Sequence, residues 1–185
     1  APSRGTVLIA DDDPERARLM ALAGALSPED VQLHYQIALR GRADAYLSIG
    51  EHANAVADFK KALGTDPKES GMLNNYAWVL ATSPDDDVRD GKLAVELATK
   101  ACEETNYEES HILSTLAAAY AETGDFEEAA KRSQQAIDVF EKGREAAIKA
   151  GNEKRVKELE QELQAELTSF QEKKPWRERQ TMEDA

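Results

Sequence analysis

The chain has 185 residues, a formal net charge of −13 at pH 7 and a composition rich in Ala, Glu, Leu and Lys. This composition favours a single helical domain. The charge argues against a nucleic-acid partner, because a phosphate backbone is bound by clustered Lys and Arg. No run of 18 apolar residues occurs, so the sequence predicts no membrane span. Cys102 is the only cysteine, which excludes an intrachain disulfide.

The N-terminal part contains two helix start signals. Residues 1–9 are predicted to be an extension, and Asp13-Pro14 indicates a helix that runs to about Leu26. The second signal is Ser27-Pro28-Glu29-Asp30, where an acid three residues after a serine is typical of a capping box. The helix that follows is predicted to continue to about Ile49. We assign residues 10–35 to an N-terminal capping segment.

Further helices follow in chain order, separated by Gly, Pro and capping residues. Their predicted ranges are about 52–63, 70–82, 91–104, 111–122, 126–150 and 154–172. Ser110 and Asp125 are predicted N-caps. Lys173-Lys174-Pro175 ends the last helix, and the tail 173–185 is predicted to be mobile.

Three stretches of the chain repeat one pattern of small and large residues. In each stretch an alanine is followed seven residues later by another alanine: Ala55 and Ala62, Ala94 and Ala101, Ala129 and Ala136. In two stretches a tyrosine precedes a glycine by four residues: Tyr46 and Gly50, Tyr120 and Gly124. Spacing of this kind indicates a repeated helix pair of about 34 residues.

This pattern resembles the tetratricopeptide repeat (TPR), in which antiparallel helices A and B stack into a right-handed all-α solenoid. The repeats are assigned to 36–69, 70–109 and 110–143. The diagnostic residues of the first are Ala43, Tyr46, Gly50, Ala55, Phe59, Ala62 and Pro67. The third has Leu113, Leu116, Ala117, Tyr120, Gly124, Asp125, Phe126, Ala129 and Ala136. The middle repeat lacks the turn glycine and has an insertion at 83–90, which is predicted to bulge outward. Two short stretches, 73–78 and 174–178, also resemble bacterial TPR proteins of unassigned role.

The segment 144–172 is predicted to extend the last repeat and to form a C-terminal capping helix. Its apolar residues recur at helical spacing: Val156, Leu159, Leu163, Leu167 and Phe170. Because a helical repeat buries its apolar face only against a neighbour, we expect this stripe to cover the third repeat. The alternative is that the stripe pairs two chains into a homodimer.

The resemblance implies that the A helices line a concave binding groove. Carried over position by position, the groove residues are Ile37, Arg40, Asp44, Asn74, Asn75, Trp78, His111, Ser114 and Thr115. An asparagine amide can both donate to and accept from a peptide backbone. Trp78 is either an exposed anchor for a partner or is packed beneath the N-terminal helix or the insertion. Asp44 argues against the TPR subclass that grips a C-terminal carboxylate, because its charge would repel that group.

The sequence therefore predicts a non-enzymatic scaffold that binds a protein or peptide. His34, His52 and His111 are too dispersed to form a metal set, and no motif for a cofactor or for catalysis is present. Two alternatives stay open: a self-association module that uses the C-terminal stripe, and a regulatory subunit of a larger assembly. The identity of the partner and the cellular compartment are also open, since a removed signal peptide is compatible with the sequence.

Overall fold

The computed structural model describes residues 27–63 and 69–178, and all regular secondary structure in these ranges is helical. The helices are α1 (Pro28–Ser48), α2 (His52–Ala62), α3 (Ser70–Thr82), α4 (Gly91–Glu104), α5 (Ser110–Glu122), α6 (Phe126–Lys149) and α7 (Glu153–Gln171). They agree with the ranges predicted from the sequence. The predicted helix from Pro14 to Leu26 and the diagnostic Pro67 lie outside the described residues.

The capping box at the start of α1 is confirmed. The Ser27 hydroxyl accepts from the Asp30 backbone N–H at 3.1 Å, and the Asp30 carboxylate accepts from the Ser27 N–H at 3.2 Å. Two backbone donors of the first turn are thereby satisfied without any tertiary contact. Asp125 is likewise confirmed as an N-cap, because its carboxylate accepts from the Glu128 N–H at 3.1 Å.

The prediction that Ser110 is an N-cap is wrong. Glu109 occupies the N-cap position in an extended conformation, and Ser110 is the first helical residue of α5. The Ser110 hydroxyl instead donates to the Ala136 carbonyl on α6 at 2.8 Å. A contact between two helices therefore replaces the local cap.

The turn glycines predicted from the repeat pattern are confirmed. Gly50 and Gly124 have φ values of 76° and 85°, a conformation that only glycine adopts without strain. At the second turn, Gly124 N–H donates to the Ala121 carbonyl and Asp125 N–H to the Tyr120 carbonyl, each at 3.0 Å. These two bonds form a Schellman motif, which ends an A helix and sends the chain back along its B helix.

The six repeated alanines are all buried at contacts between helices. Since alanine has the smallest side chain with a Cβ, the helices approach closely at these positions. Within each repeat the two helices pack on each other: α1 on α2, α3 on α4 and α5 on α6. Neighbouring repeats meet through α3 against α5 and α4 against α5. The result is an all-α solenoid of antiparallel helix pairs.

Helix α7 packs against α6 and α5, as the capping prediction requires. Four residues of its apolar stripe are buried: Val156, Leu163, Leu167 and Phe170. The stripe is therefore covered within one chain, so a homodimer through it would require α7 to leave this position.

The insertion between α3 and α4 lies where the sequence predicts it, but only part of it bulges outward. Asp85, Asp86 and Asp87 are exposed, whereas Val88 is buried. Arg89 folds back and donates to the Ser83 carbonyl at 2.6 Å and to the Glu122 carboxylate at 2.9 Å. The insertion thus connects the C-terminal ends of α3 and α5.

The segment 173–178 differs from the predicted mobile tail. It is packed against α3 and α5, because Glu178 N–H donates to the Thr82 carbonyl at the end of α3 and Arg177 pairs with the Glu122 side chain at the end of α5.

In the described ranges, no helix combines the length and the apolar character that crossing a bilayer requires.

Candidate functional site

One face of α1 is open and changes from apolar to polar along its length. Leu33, Ile37, Arg40 and Asp44 follow each other at steps of four, three and four residues, so they share this face. Leu33 is 51% exposed and Ile37 is 58% exposed, which is unusual for large apolar side chains on a helix that also packs into the core. We call these four residues, together with Asn75 of α3, the α1–α3 face.

A row of polar contacts links the first two repeats at this face. Arg40 pairs with Glu69 at 2.7 Å and lies 4.0 Å from Asp44. The Asn75 amide donates to the Asp44 carboxylate at 2.9 Å. This bond fixes the position of the carboxylate and leaves its negative charge in place. Side chains held in this way have already lost part of their rotamer freedom in the folded chain.

Asn74 lies beside this row but is not available to a partner. It is only 9% exposed; its amide donates to the Asn75 side-chain oxygen at 3.3 Å. Its own side-chain oxygen is buried and has no hydrogen-bond partner. The prediction that Asn74 faces an open groove is therefore corrected, while Asn75 stays accessible in part.

The structure also corrects the expected groove residues of the third repeat. Ser114 and Thr115 are buried, because α7 packs on the face of α5 that a fourth repeat would cover. The Thr115 hydroxyl donates to the His111 carbonyl within its own helix at 3.1 Å. Of these three groove residues His111 alone is exposed, with Nδ1 3.6 Å from the Glu109 carboxylate.

Ser114 meets a buried acid on the capping helix. Its hydroxyl donates to the Glu166 carboxylate at 2.6 Å, and Glu166 is only 5% exposed. Burial raises the pKa of Glu166 to about 7, the Ser114 hydrogen bond opposes that shift, and the nearby Glu162 adds to it. Near neutral pH, therefore, this carboxyl is a mixture of its protonated and ionised forms.

The C-terminal segment 174–178, which we call the strap, crosses the ends of α3 and α5. The last four carbonyls of a helix have no partner within the helix. In α3 these are the carbonyls of residues 79 to 82. In chain order they accept from Ser83 N–H at 3.1 Å, Asp90 N–H at 3.0 Å, the Arg177 guanidinium at 3.4 Å and Glu178 N–H at 2.9 Å. The strap thus supplies donors to the final two, Ala81 and Thr82.

Arg177 also brings positive charge to two helix ends. No basic residue occurs in the last turn of α3 or of α5, where the helix dipole is negative. Arg177 pairs with Glu122, the last residue of α5, at 2.7 Å. Glu122 pairs with Arg89 as well, at 2.9 Å, so one carboxylate lies between two guanidinium groups.

Trp78 is half-buried. The N-terminal helix expected to cover it lies outside the described residues. The Trp78 ring is packed against the core. Burial raises the pKa of the neighbouring Glu178 carboxyl, and the His52 and Trp78 side chains close to that carboxyl partly oppose the rise. One Glu178 oxygen lies 3.5 Å from Nε2 of His52 and has no hydrogen-bond partner. Trp78 is therefore a contact for the strap.

Comparison with known proteins finds a family similarity in one part of the chain. Residues 41–69 match the family model described as tetratricopeptide repeat. This part of the chain is similar to a tetratricopeptide repeat. This match confirms the TPR resemblance, and the helix pairs of the structure confirm the all-α TPR solenoid. No curated protein matches the chain.

A solved TPR structure is similar to part of this chain. It is described as the first TPR of Spaghetti (RPAP3) bound to the HSP90 peptide SRMEEVD. The two chains are 16% identical, with a TM-score of 0.49, over 74% of this chain and 95% of the other.

Sequence reasoning missed the tertiary contacts of three residues, Glu166, Arg177 and Glu178. The sequence predicts a solvated helix surface around Glu166, although this residue lies between Leu163 and Leu167 on the buried stripe. Arg177 and Glu178 belong to a charged tail without periodicity. Glu166 has a signal that could have found it, namely its position at helical spacing from the stripe, whereas the likeness of 174–178 to other TPR proteins gives Arg177 and Glu178 no partner.

Cys102 has no sign of reactivity. It is fully buried, and this burial raises the pKa of its thiol to about 12, so the group stays protonated. Within 27–63 and 69–178, no three His, Cys, Asp or Glu side chains lie close enough to hold a metal ion.

Proposed function

We propose that this chain is a protein-interaction scaffold that binds an extended segment of a partner on the α1–α3 face. The observation that carries the proposal is the arrangement of that face. Exposed Leu33 and Ile37 lie next to a fixed polar row that spans two repeats. Binding surfaces commonly combine an apolar patch with adjoining polar groups. TPR repeats are generally non-catalytic binding modules, which agrees with this role.

The arrangement indicates what the partner segment presents. An apolar side chain would cover Leu33 and Ile37, and removing these side chains from water would favour binding. Arg40 and Asp44 are accessible, with side chains 44% and 39% exposed, and offer one positive and one negative group. Asn75 can exchange its bond to Asp44 for one to a peptide backbone.

A matched pair of isoleucines tests this proposal. Ile37→Asp places a charge on the α1–α3 face, whereas Ile49→Asp makes the same change at the exposed C-terminal end of α1. Partners are captured from an extract of the cells that make the protein and identified, and the affinity of each purified partner is then measured.

We expect Ile37→Asp to weaken binding by about tenfold or more, since a buried unpaired charge is costly, and Ile49→Asp to leave it unchanged. Equal affinity of both variants and the wild type would exclude the α1–α3 face. A self-associating module and a regulatory subunit are the other two candidate functions, and no contact of the described residues favours either.

A further inference from the structure

The direction of the strap is fixed by the way α7 ends. Lys173 has φ of 59°, and its N–H donates to the Phe170 carbonyl at 3.0 Å while Lys174 N–H donates to the Ser169 carbonyl at 2.9 Å. This is a Schellman motif with lysine at the position that usually holds glycine. Pro175 then prevents further helix. The chain is therefore turned out of α7 and across the ends of α3 and α5.

The contacts of the strap are those of a peptide ligand. Its backbone donates one hydrogen bond, from Glu178 N–H to the Thr82 carbonyl. Arg177 pairs with Glu122, the Glu178 carboxylate contacts Trp78, and Trp176 packs against the core. Main-chain pairing together with an aromatic and an arginine anchor is how extended peptides are commonly held.

The site that holds the strap would remain well formed without it. Glu122 keeps its bond to Arg89, so removing Arg177 leaves no unpaired carboxylate. The carbonyls of Ala81 and Thr82 lie at a helix end, where water can replace the strap donors. One oxygen of the strap residue Glu178 makes no hydrogen bond, and its neighbour is Nε2 of His52 at 3.5 Å. An occupant of this kind can be exchanged.

We propose that Trp78, Thr82 and Glu122 form a second docking site, which accepts an extended partner segment with the order aromatic, arginine, glutamate, and that the strap occupies it as an internal competitor. The partner is the one that the α1–α3 face binds, so this inference rests on the proposed function. Release of the strap would then extend the interaction surface from the first two repeats to the third.

A trans-peptide experiment on the full chain tests the proposal. The probe is the amidated peptide of residues 172–178, Glu-Lys-Lys-Pro-Trp-Arg-Glu, and dissociation constants are measured by NMR titration of the labelled protein. Three proteins are compared: the wild type, the strap variant Arg177→Ala/Glu178→Ala, and Glu172→Ala as a control at an exposed position of the same segment.

We expect the strap variant to bind the peptide about tenfold more tightly than the wild type or the control. A tethered segment competes at an effective concentration on the order of 1 mM, so weakening it exposes the site. Adding Glu122→Gln to the strap variant, or replacing the arginine of the peptide by alanine, should reverse the gain. These two reversals show that the peptide occupies the strap site.

Two results would overturn the proposal: equal affinity of all three proteins, or no binding by a strap variant whose circular dichroism shows that it is folded. The proposed function can fail independently of the second docking site. If Ile37→Asp still prevents partner binding while the peptide does not bind, only the second docking site is wrong. If the peptide binds as expected but Ile37→Asp has no effect, the α1–α3 face is wrong.

Discussion

The buried acid Glu166 predicts a pH-dependent stability. Its folded pKa of about 7 lies above the ordinary value of 4.5, so between these values the folded state binds more protons than the unfolded state. The free energy of unfolding that it contributes therefore falls as pH rises through this window and is constant above it. Glu166→Gln removes the titrating carboxyl. The free energy of unfolding of this variant should therefore rise relative to that of the wild type by about 1–2 kcal/mol between about pH 5.5 and pH 8.

Urea denaturation of both proteins at several pH values in this range measures that difference. Glu158→Gln is the matched control, because Glu158 is a carboxylate on the same helix with its side chain 43% exposed. The control should show almost no change in stability. If the difference in free energy of unfolding between Glu166→Gln and the wild type did not vary with pH, Glu166 would not be titrating in a buried site.

At the scale of single residues, the sequence predicts local contacts and misses distant ones. The capping box of Ser27 and the turn glycines Gly50 and Gly124 were predictable because each depends on a few neighbouring residues. The pairing of Arg177 with Glu122 was not, since the two are far apart in sequence and many other charged residues offer equivalent partners. Ser110 shows the same limit, because a tertiary hydrogen bond replaces its expected cap.

The capping helix α7 gives a prediction at the scale of an element. Leu163→Asp places a charge in the buried contact of α7 with the repeats and should lower the free energy of unfolding by about 3 kcal/mol or more. Gln161→Asp, at an exposed position of the same helix, should have a small effect. Denaturation at several protein concentrations distinguishes the intrachain contact from a homodimer, because only a dimer makes the midpoint depend on concentration. A concentration-dependent midpoint in the wild type would favour the homodimer.

At this scale the sequence predicts the helices well and the groove less well. Apolar periodicity fixes which side of α7 is buried, and it identifies the stripe from Val156 to Phe170. The position-by-position groove residues depend on the assumption that every A helix has an open face. That assumption holds for α1, but it fails for α5, because α7 takes the place of a further repeat and buries Ser114 and Thr115.

For the whole molecule, the distribution of buried side chains predicts a gradient of local stability along the solenoid. Among the described side chains of the 21-residue α1, only Leu39 and Ala43 are fully buried, whereas α5 has nine buried residues among thirteen. A repeat contacts only its neighbours, so a helix with few buried side chains can open without the rest. Amide hydrogens of α1 should therefore exchange at least about tenfold faster than those of α5, because they exchange through local opening rather than global unfolding.

Native-state hydrogen exchange followed by NMR measures both helices at once, and a small amount of denaturant should accelerate α5 far more than α1. Equal protection of the two helices would mean that the solenoid unfolds as one unit, and that the α1–α3 face is as rigid as the core beneath the strap.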